Sequence, residues 1–189
     1  TYYKGPGFDV ALSVVNDLGD LKGENRDSDD LGVELMLAVN PVEAWTMKGF
    51  YMTDKLDGTN EDTDLINIWT SYTVADWTFA AEFNQSENAP AAVSLAARGS
   101  TPWPVKARAE DFVGVEAEGY LVMANYVWDK AGITFRYNES EVETDLGTTV
   151  EDLSAFTIAP SYMVSNNLLV FLEYRRDEDN ITDESTNTY

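Results

Sequence analysis

The 189-residue chain contains no cysteine and no histidine. That excludes a disulfide framework, a thiolate nucleophile, a zinc finger and a histidine-based triad. Basic residues are scarce, 12 against 34 acidic ones, for a net charge of −22. A nucleic-acid binder needs a basic stripe to neutralise phosphates, so no nucleic-acid partner is expected. No apolar run reaches the roughly 18 residues of a transmembrane helix. There is no Gly-x-Ser-x-Gly elbow, phosphate loop or dinucleotide fingerprint, and neither an enzyme nor a cofactor is expected. What the chain does have is apolar and aromatic content: 44% hydrophobic residues, with 8 Phe, 5 Trp and 10 Tyr. That is too much for a disordered polypeptide.

Thr1 follows no initiator methionine, and a last strand-like stretch stops at Tyr189 almost as it begins. Residues 1–189 are therefore expected to form one β-domain that is cut at both ends.

The repeating signal is a period of two. Val33, Leu35, Leu37 and Val39 alternate with Glu34, Met36, Ala38 and Asn40. Trp45, Met47, Gly49 and Tyr51 alternate with Thr46, Lys48 and Phe50. Ile66, Ile68, Thr70 and Tyr72 oppose Asn67, Trp69, Ser71 and Thr73; Trp77, Phe79, Ala81 and Phe83 oppose Thr78, Ala80, Glu82 and Asn84. Further stretches run through Phe8 to Val14, Tyr120 to Trp128, Ile133 to Tyr137, Phe156 to Tyr162 and Leu168 to Tyr174. Strand side chains point to opposite faces in turn, so each stretch has one apolar and one mixed face. Nine strands are predicted, with a tenth beginning near Thr188.

Connections alternate as well. Short turns fall at 5–7, 40–44, 74–76, 129–131 and 165–167, and long polar connections at about 17–30, 55–64, 85–114, 140–152 and 176–186. An up-and-down sheet with one tight end and one elaborated end sorts its loops this way. A Greek-key sandwich has no reason to. Outer-membrane barrels combine short periplasmic turns, long outer loops and an outward apolar band about 25 Å tall.

On the apolar faces Trp45, Tyr72, Trp77, Tyr126, Trp128 and Tyr162 lie near short turns. Tyr51, Phe83, Tyr120, Tyr137 and Tyr174 lie toward the long-loop end of the same faces, and no charge falls between the two rows. Tyr and Trp favour the headgroup level, where an apolar body and a polar tip are both satisfied. These eleven aromatics are the expected membrane-interface residues.

Gly119-Tyr-Leu-Val-Met-Ala-Asn-Tyr126 and Leu168-Leu-Val-Phe-Leu-Glu-Tyr-Arg-Arg-Asp177 resemble strands of Gram-negative outer-membrane porins, in the C-terminal portion of a general porin barrel. The resemblance is one of pattern over nearly the whole chain. It implies an antiparallel up-and-down transmembrane β-barrel, here about nine to ten strands of a larger wall. It also implies a bacterial outer-membrane location among lipid and lipopolysaccharide, passage of small hydrophilic solutes, and assembly as a homo-oligomer such as a trimer.

If the apolar faces meet lipid, the opposite faces line the lumen. The pore-lining candidates are Glu34, Lys48, Glu82, Arg136, Glu173 and Arg175, with Asp9 on the same parity. The connection 85–114 differs in kind: from Asn88 to Ala109 it carries Arg98, Lys106 and Arg108 and no acid, beside the rigid Pro102-Trp103-Pro104. In porins a long loop commonly narrows the lumen, so Arg98, Trp103, Lys106 and Arg108 are the candidate constriction residues. The other long segments (16–30, 54–64, 141–152 and 177–184) hold 21 acidic and 3 basic residues. Runs such as Asp27-Ser28-Asp29-Asp30 and Asp177-Glu178-Asp179 offer hard oxygen ligands to divalent cations, but none has a calcium-loop spacing, and solvation of an exterior surface explains them equally well. Glu116 and Glu118 fall on the lipid-facing parity and are expected above the membrane rim or in a bulge. Two other readings stand beside the porin: a barrel sheathing or displaying a receptor surface to a partner, and a soluble acidic β-domain that binds carbohydrate.

Overall fold

A computed structural model describes residues 1–15, 31–55, 62–88, 114–182 and 184–188. Regular structure among them is entirely β. The strands are β1 (Tyr2–Gly5), β2 (Phe8–Val15), β3 (Gly32–Val42), β4 (Trp45–Lys55), β5 (Asp62–Val74), β6 (Trp77–Glu87), β7 (Val115–Trp128), β8 (Ala131–Thr144), β9 (Thr149–Ser165), β10 (Leu168–Phe171), β11 (Tyr174–Asp179) and β12 (Glu184–Thr188). They form one antiparallel sheet in chain order, β1 to β9 and then β11 and β12, with β10 also on β9. The sheet is open, with β1 and β12 as its edges.

Several boundaries differ from those read in the sequence. β1 was not predicted, because Tyr2-Tyr3-Lys4-Gly5 is too short to show a period. It is held by its register with β2, Tyr3 opposite Val10. All five short connections are two-residue hairpins, and Ala75 and Asp129 take left-handed conformations in them (φ 51° each), as tight hairpins require of a central residue. The stretch 140–152 is not a long loop: β8 and β9 continue in register to Glu143 opposite Thr149, with one bulge at Val142/Glu143. Likewise β11 and β12 extend through much of 176–186. These extensions are polar on both faces, so a reading that needs an apolar face cannot see them. Backbone ladder bonds do not require one.

The sequence also joins β10 and β11 into one strand, whereas the structure interrupts them at Leu172–Glu173. Pro160 of β9 accounts for the break. Its carbonyl accepts the Leu172 amide at 3.1 Å, but proline has no N–H to return the bond, so the ladder loses one rung there. On the other side Pro160 lies opposite Ile133, where the strand suffers no interruption.

Register and burial separate two faces. The buried side chains Ala38, Asp54, Thr63, Ser86, Ser140, Ala155 and Thr157 all share one parity through the pairings. Most of the exposed large apolar side chains lie on the other parity, Leu35, Leu37, Ile68, Phe79, Val122, Phe135 and Phe156 among them. A curled sheet produces this asymmetry, crowding its concave side and fanning out its convex side. Ala38 and Ala155 are the only buried hydrophobic residues described. The soluble-domain alternative needs an apolar core, and the described residues have none.

Strand length accounts for the acids on the convex face. Spanning about 25 Å at a tilt of about 40° takes about 10 residues, whereas β7 and β8 have 14 each and β9 has 17. Glu116 and Glu118 occupy the surplus at the long-loop end. No bulge is present there: Glu116 lies opposite Glu87 and Glu143, and Glu118 opposite Gln85 and Glu141.

The connection 89–113 leaves β6 and enters β7 at a pinned junction. Asn88 is buried with φ 52°. Its Nδ2 donates to the Asp62 carbonyl at 2.9 Å and its Oδ1 accepts the Gly114 amide at 2.7 Å. Its own amide reaches the Val115 carbonyl at 2.8 Å. Asn88→Ala removes both side-chain bonds and puts a β-carbon without compensation in the left-handed region. A loss of about 2–3 kcal/mol is expected in urea unfolding from lipid vesicles. Phe79→Arg, on the exposed convex face, is expected to cost about 2–4 kcal/mol of insertion at mid-depth and to lower the folded fraction on SDS gels; normal folding of this variant would place lipid on the other face.

Candidate functional site

The concave face gathers charge of both signs. One register row runs Lys4, Asp9, Ala38, Lys48, Trp69, Glu82 across β1–β6. Lys48 Nζ sits over the Trp69 ring, 5.4 Å from its centroid, a cation–π arrangement. Glu82 is held by amides: its Oε1 accepts from Asn67 Nδ2 at 2.7 Å and Asn84 Nδ2 at 3.4 Å, and Asn67 Nδ2 also donates to Asn84 Oδ1. Glu34 lies between Ser13 and Met52.

A second row runs Met123, Arg136, Thr157, Arg175. The two arginines are not equivalent. Arg175 reaches Asp177 Oδ1 through Nε at 2.7 Å and Nη2 at 2.6 Å, which cancels most of its charge locally. Arg136 has only a long bond from Nη2 to Thr157 Oγ1, 3.4 Å, and its Nε has no partner among the described residues. Its field is therefore the less compensated. Glu173 lies at the break between β10 and β11 and is exposed.

The acidic run Asp177-Glu178-Asp179 cannot converge on one cation, because it is strand. Asp177 and Asp179 take the parity of Arg175, while Glu178 takes the opposite parity and pairs with Arg176 at 2.6 Å. Among the described residues no group of three or more acidic side chains is arranged to hold a metal ion. The run 27–30 lies outside the described residues, as do Arg98, Trp103, Lys106 and Arg108 of the expected constriction.

The interface candidates lie on the convex face and form contacts of two kinds. Toward the short turns they touch ring to ring: Trp77–Tyr126 at 4.7 Å, Tyr126–Trp128 at 5.6 Å and Trp77–Phe79 at 5.6 Å. Trp45 lies opposite Tyr72 and donates through Nε1 to Thr70 at 2.8 Å; Tyr162 lies opposite Ala131. Toward the long connections they end on polar groups. Tyr51 donates to Asp64, Tyr120 and Tyr137 both donate to Glu139, and Tyr174 donates to Asn187. Phe83 lies opposite Tyr120. Asn67, Trp69 and Asn84 were not singled out in the sequence. Their signal was an indole and two amides on the mixed parity, beside Lys48 and Glu82.

The family model described as Gram-negative porin matches residues 1–182. No curated protein matches the sequence. Among solved structures, the outer membrane channel DcaP of Acinetobacter baumannii is similar with a TM-score of 0.70 and 14% identity, over 98% of this chain and 57% of that one. A porin structure refined at 1.8 Å aligns at TM-score 0.65 and 14% identity, over 98% and 57%. A loop-deletion variant of the outer membrane protein OmpT of Vibrio cholerae aligns at TM-score 0.65 and 15% identity, over 98% and 58%. The chain thus spans somewhat more than half the length of these structures.

The contrast between the arginines is testable. A unit charge at about 8 Å in water is worth about 0.5 kcal/mol to a passing ion, roughly a factor of two in local concentration. The arginine lowers cations and raises anions by that factor each, so Arg136→Gln is expected to shift the cation-to-anion permeability ratio up to about fourfold toward cations, measured as reversal potential under a salt gradient. Arg175→Gln is expected to shift it less, since Asp177 already offsets that charge.

Proposed function

The chain belongs to the Gram-negative porin family, and from that membership we propose that it lets small hydrophilic solutes and ions diffuse across the membrane through a water-filled lumen. The sheet is the wall of a transmembrane β-barrel of the bacterial outer membrane. Family and fold are those of channels, typically without enzymatic activity.

The observation that carries this reading is the inversion of polarity. Large apolar side chains cover the convex face, whereas Asp9, Glu34, Lys48, Glu82, Arg136 and Arg175 share the concave one. A charge on the lipid side costs about 2–4 kcal/mol for Arg or Lys at mid-depth; a charge on the lumen side costs little if water is there. Arg136, half-buried and with one long side-chain bond among the described residues, calls for such water. Transport then needs no covalent step: size exclusion by the lumen and weak electrostatic sorting by the wall suffice. In the same reading the two aromatic rows mark the two interfaces, with lipid and lipopolysaccharide around them, the long connection within 85–114 narrows the lumen through Arg98, Trp103, Lys106 and Arg108, and the working unit is a homo-oligomer such as a trimer.

The purified protein in a planar bilayer is expected to give stepwise, long-lived conductance increments in KCl. A protein that inserts and is β-rich by circular dichroism yet stays silent would instead be a plugged or receptor barrel. In that case the sheathing alternative takes over and the fold stands.

A further inference from the structure

The concave face sets one indole between two charged side chains, and nothing in the wall's construction requires it there. Trp69 lies between Lys48 and Glu82, directly opposite each on neighbouring strands. It is half-buried, so part of the ring is presented to the lumen. We propose that Trp69 and its polar surround form a solute subsite on the channel wall that stacks the ring of a sugar: Trp69 offers the apolar platform, and Lys48, Asn67, Glu82 and Asn84 bind the hydroxyl rim. The inference rests on the reading of the protein as an open channel and names one class of solute for it.

The hydrogen-bond inventory points to this class. Both hydrogens of Asn67 Nδ2 are committed, to Glu82 and Asn84, so its Oδ1 remains as an acceptor. Glu82 uses Oε1 twice, leaving Oε2. Asn84 retains one amide hydrogen. Among the described residues Lys48 engages only the Trp69 ring, so its three N–H donors remain. The subsite therefore offers acceptors on the Glu82 side, donors on the Lys48 side and an aromatic face between them. Neighbouring strands are about 4.8 Å apart, so the two charged residues stand about 10 Å apart at the backbone, room for one ring. A pyranose presents a C–H face and hydroxyls that both donate and accept. A planar aromatic anion would use the platform and Lys48 but would meet Glu82 as a repulsion.

The position of Lys48 adds a prediction about strength. Its ammonium occupies space over the ring in the solute-free wall, so a stacking sugar must displace a cation–π contact. Binding is then weak, as conduction demands: a solute must leave as readily as it enters.

The test uses the full protein in a planar bilayer. KCl conductance is recorded first, and maltotriose is then added in the millimolar range, with block expressed as a fraction of each channel's own current. Saturable block is expected, with the half-blocking concentration raised roughly tenfold in Trp69→Ala and by less in Trp69→Phe. Sorbitol, which has hydroxyls but no ring, is expected to block more weakly. In detergent solution, maltotriose is expected to change a tryptophan emission component that Trp69→Phe lacks; this readout needs no conduction and covers an alanine variant that fails to fold. Equal block in wild type and Trp69→Ala, equal block by sorbitol, or benzoate blocking where maltotriose does not would each overturn the subsite while leaving the channel. No KCl conductance from inserted protein would remove the channel and the subsite together.

Discussion

The wall depends on the pairing of every backbone N–H and C=O with a neighbouring strand. In hydrocarbon an unpaired backbone group costs several kcal/mol, so strands can cross a membrane only when laddered side by side. Laddering fixes a side-chain period of two, and that period lets one polypeptide be apolar outward and polar inward along its whole length. The absence of a conventional core follows directly. Only two alanines are buried among the hydrophobic residues described, because the apolar side chains have the bilayer to face. Stability that a soluble domain draws from core packing must here come from ladder bonds, from cross-strand pairs and from lipid. Pro160 shows how directly this acts: one missing N–H coincides with the one place where a strand is divided in two.

The same ladder explains how the protein tolerates its charge. At the long-loop end Asp64, Glu87, Glu116 and Glu143 stand directly opposite one another across four strands of the convex face. Like charges in that arrangement oppose sheet formation. They persist because they lie past the length needed to span the membrane, where water and salt screen charges over about 8–10 Å, and because neighbouring groups supply donors. Gln85 bonds Glu116 at 2.7 Å, Thr149 bonds both Glu141 and Glu143, and two tyrosine hydroxyls end on Glu139. The upper aromatic row and the acids above it are thus one structure, with Tyr51, Tyr120 and Tyr137 joining an apolar band below to a carboxylate above and Tyr174 joining it to the Asn187 amide.

How much of this was legible in the sequence varied with the physics of each part. Where a strand has an apolar face, as Trp77 to Phe83 does, alternation revealed both the strand and its orientation. Where a strand rises out of the membrane, as Glu139 to Thr144 does, both faces are polar, and the segment reads as loop although the backbone ladder continues. Tyr2–Gly5 was invisible because four residues show no period. On the concave face, parity identified Lys48, Glu82 and Arg136 as sharing a side. It could not tell that Arg175 is held by Asp177 while Arg136 has only a long bond to Thr157. Side-chain reach decides that, and alternation carries no information about it. The residues 89–113 lie outside the described structure, so the proposed constriction still rests on composition, while its two ends rest on geometry at Asn88 and Gly114.

Trp69 illustrates a more general limit. In a half-buried strand an aromatic residue is expected on the apolar parity, and in this chain most obey: Trp45, Tyr72, Trp77, Phe79, Tyr126 and Trp128 all do. Against that background the residues that break the pattern carry the information. Tyr2, Phe50, Trp69 and Phe171 stand on the concave parity: Tyr2 opposite Ala11, Phe50 opposite Asn67, Phe171 opposite Ser161, and Trp69 alone between two charged residues, Lys48 and Glu82. Lipid cannot account for a ring on that side, and the described residues include no apolar core for it to join. What remains is local packing against the wall or contact with whatever passes. Packing alone would leave unexplained why an acid and two amides are bonded together beside the ring, with acceptor atoms to spare. The proposed subsite, gripping a solute weakly and releasing it, would account for the ring, the acceptors and the displaceable lysine together.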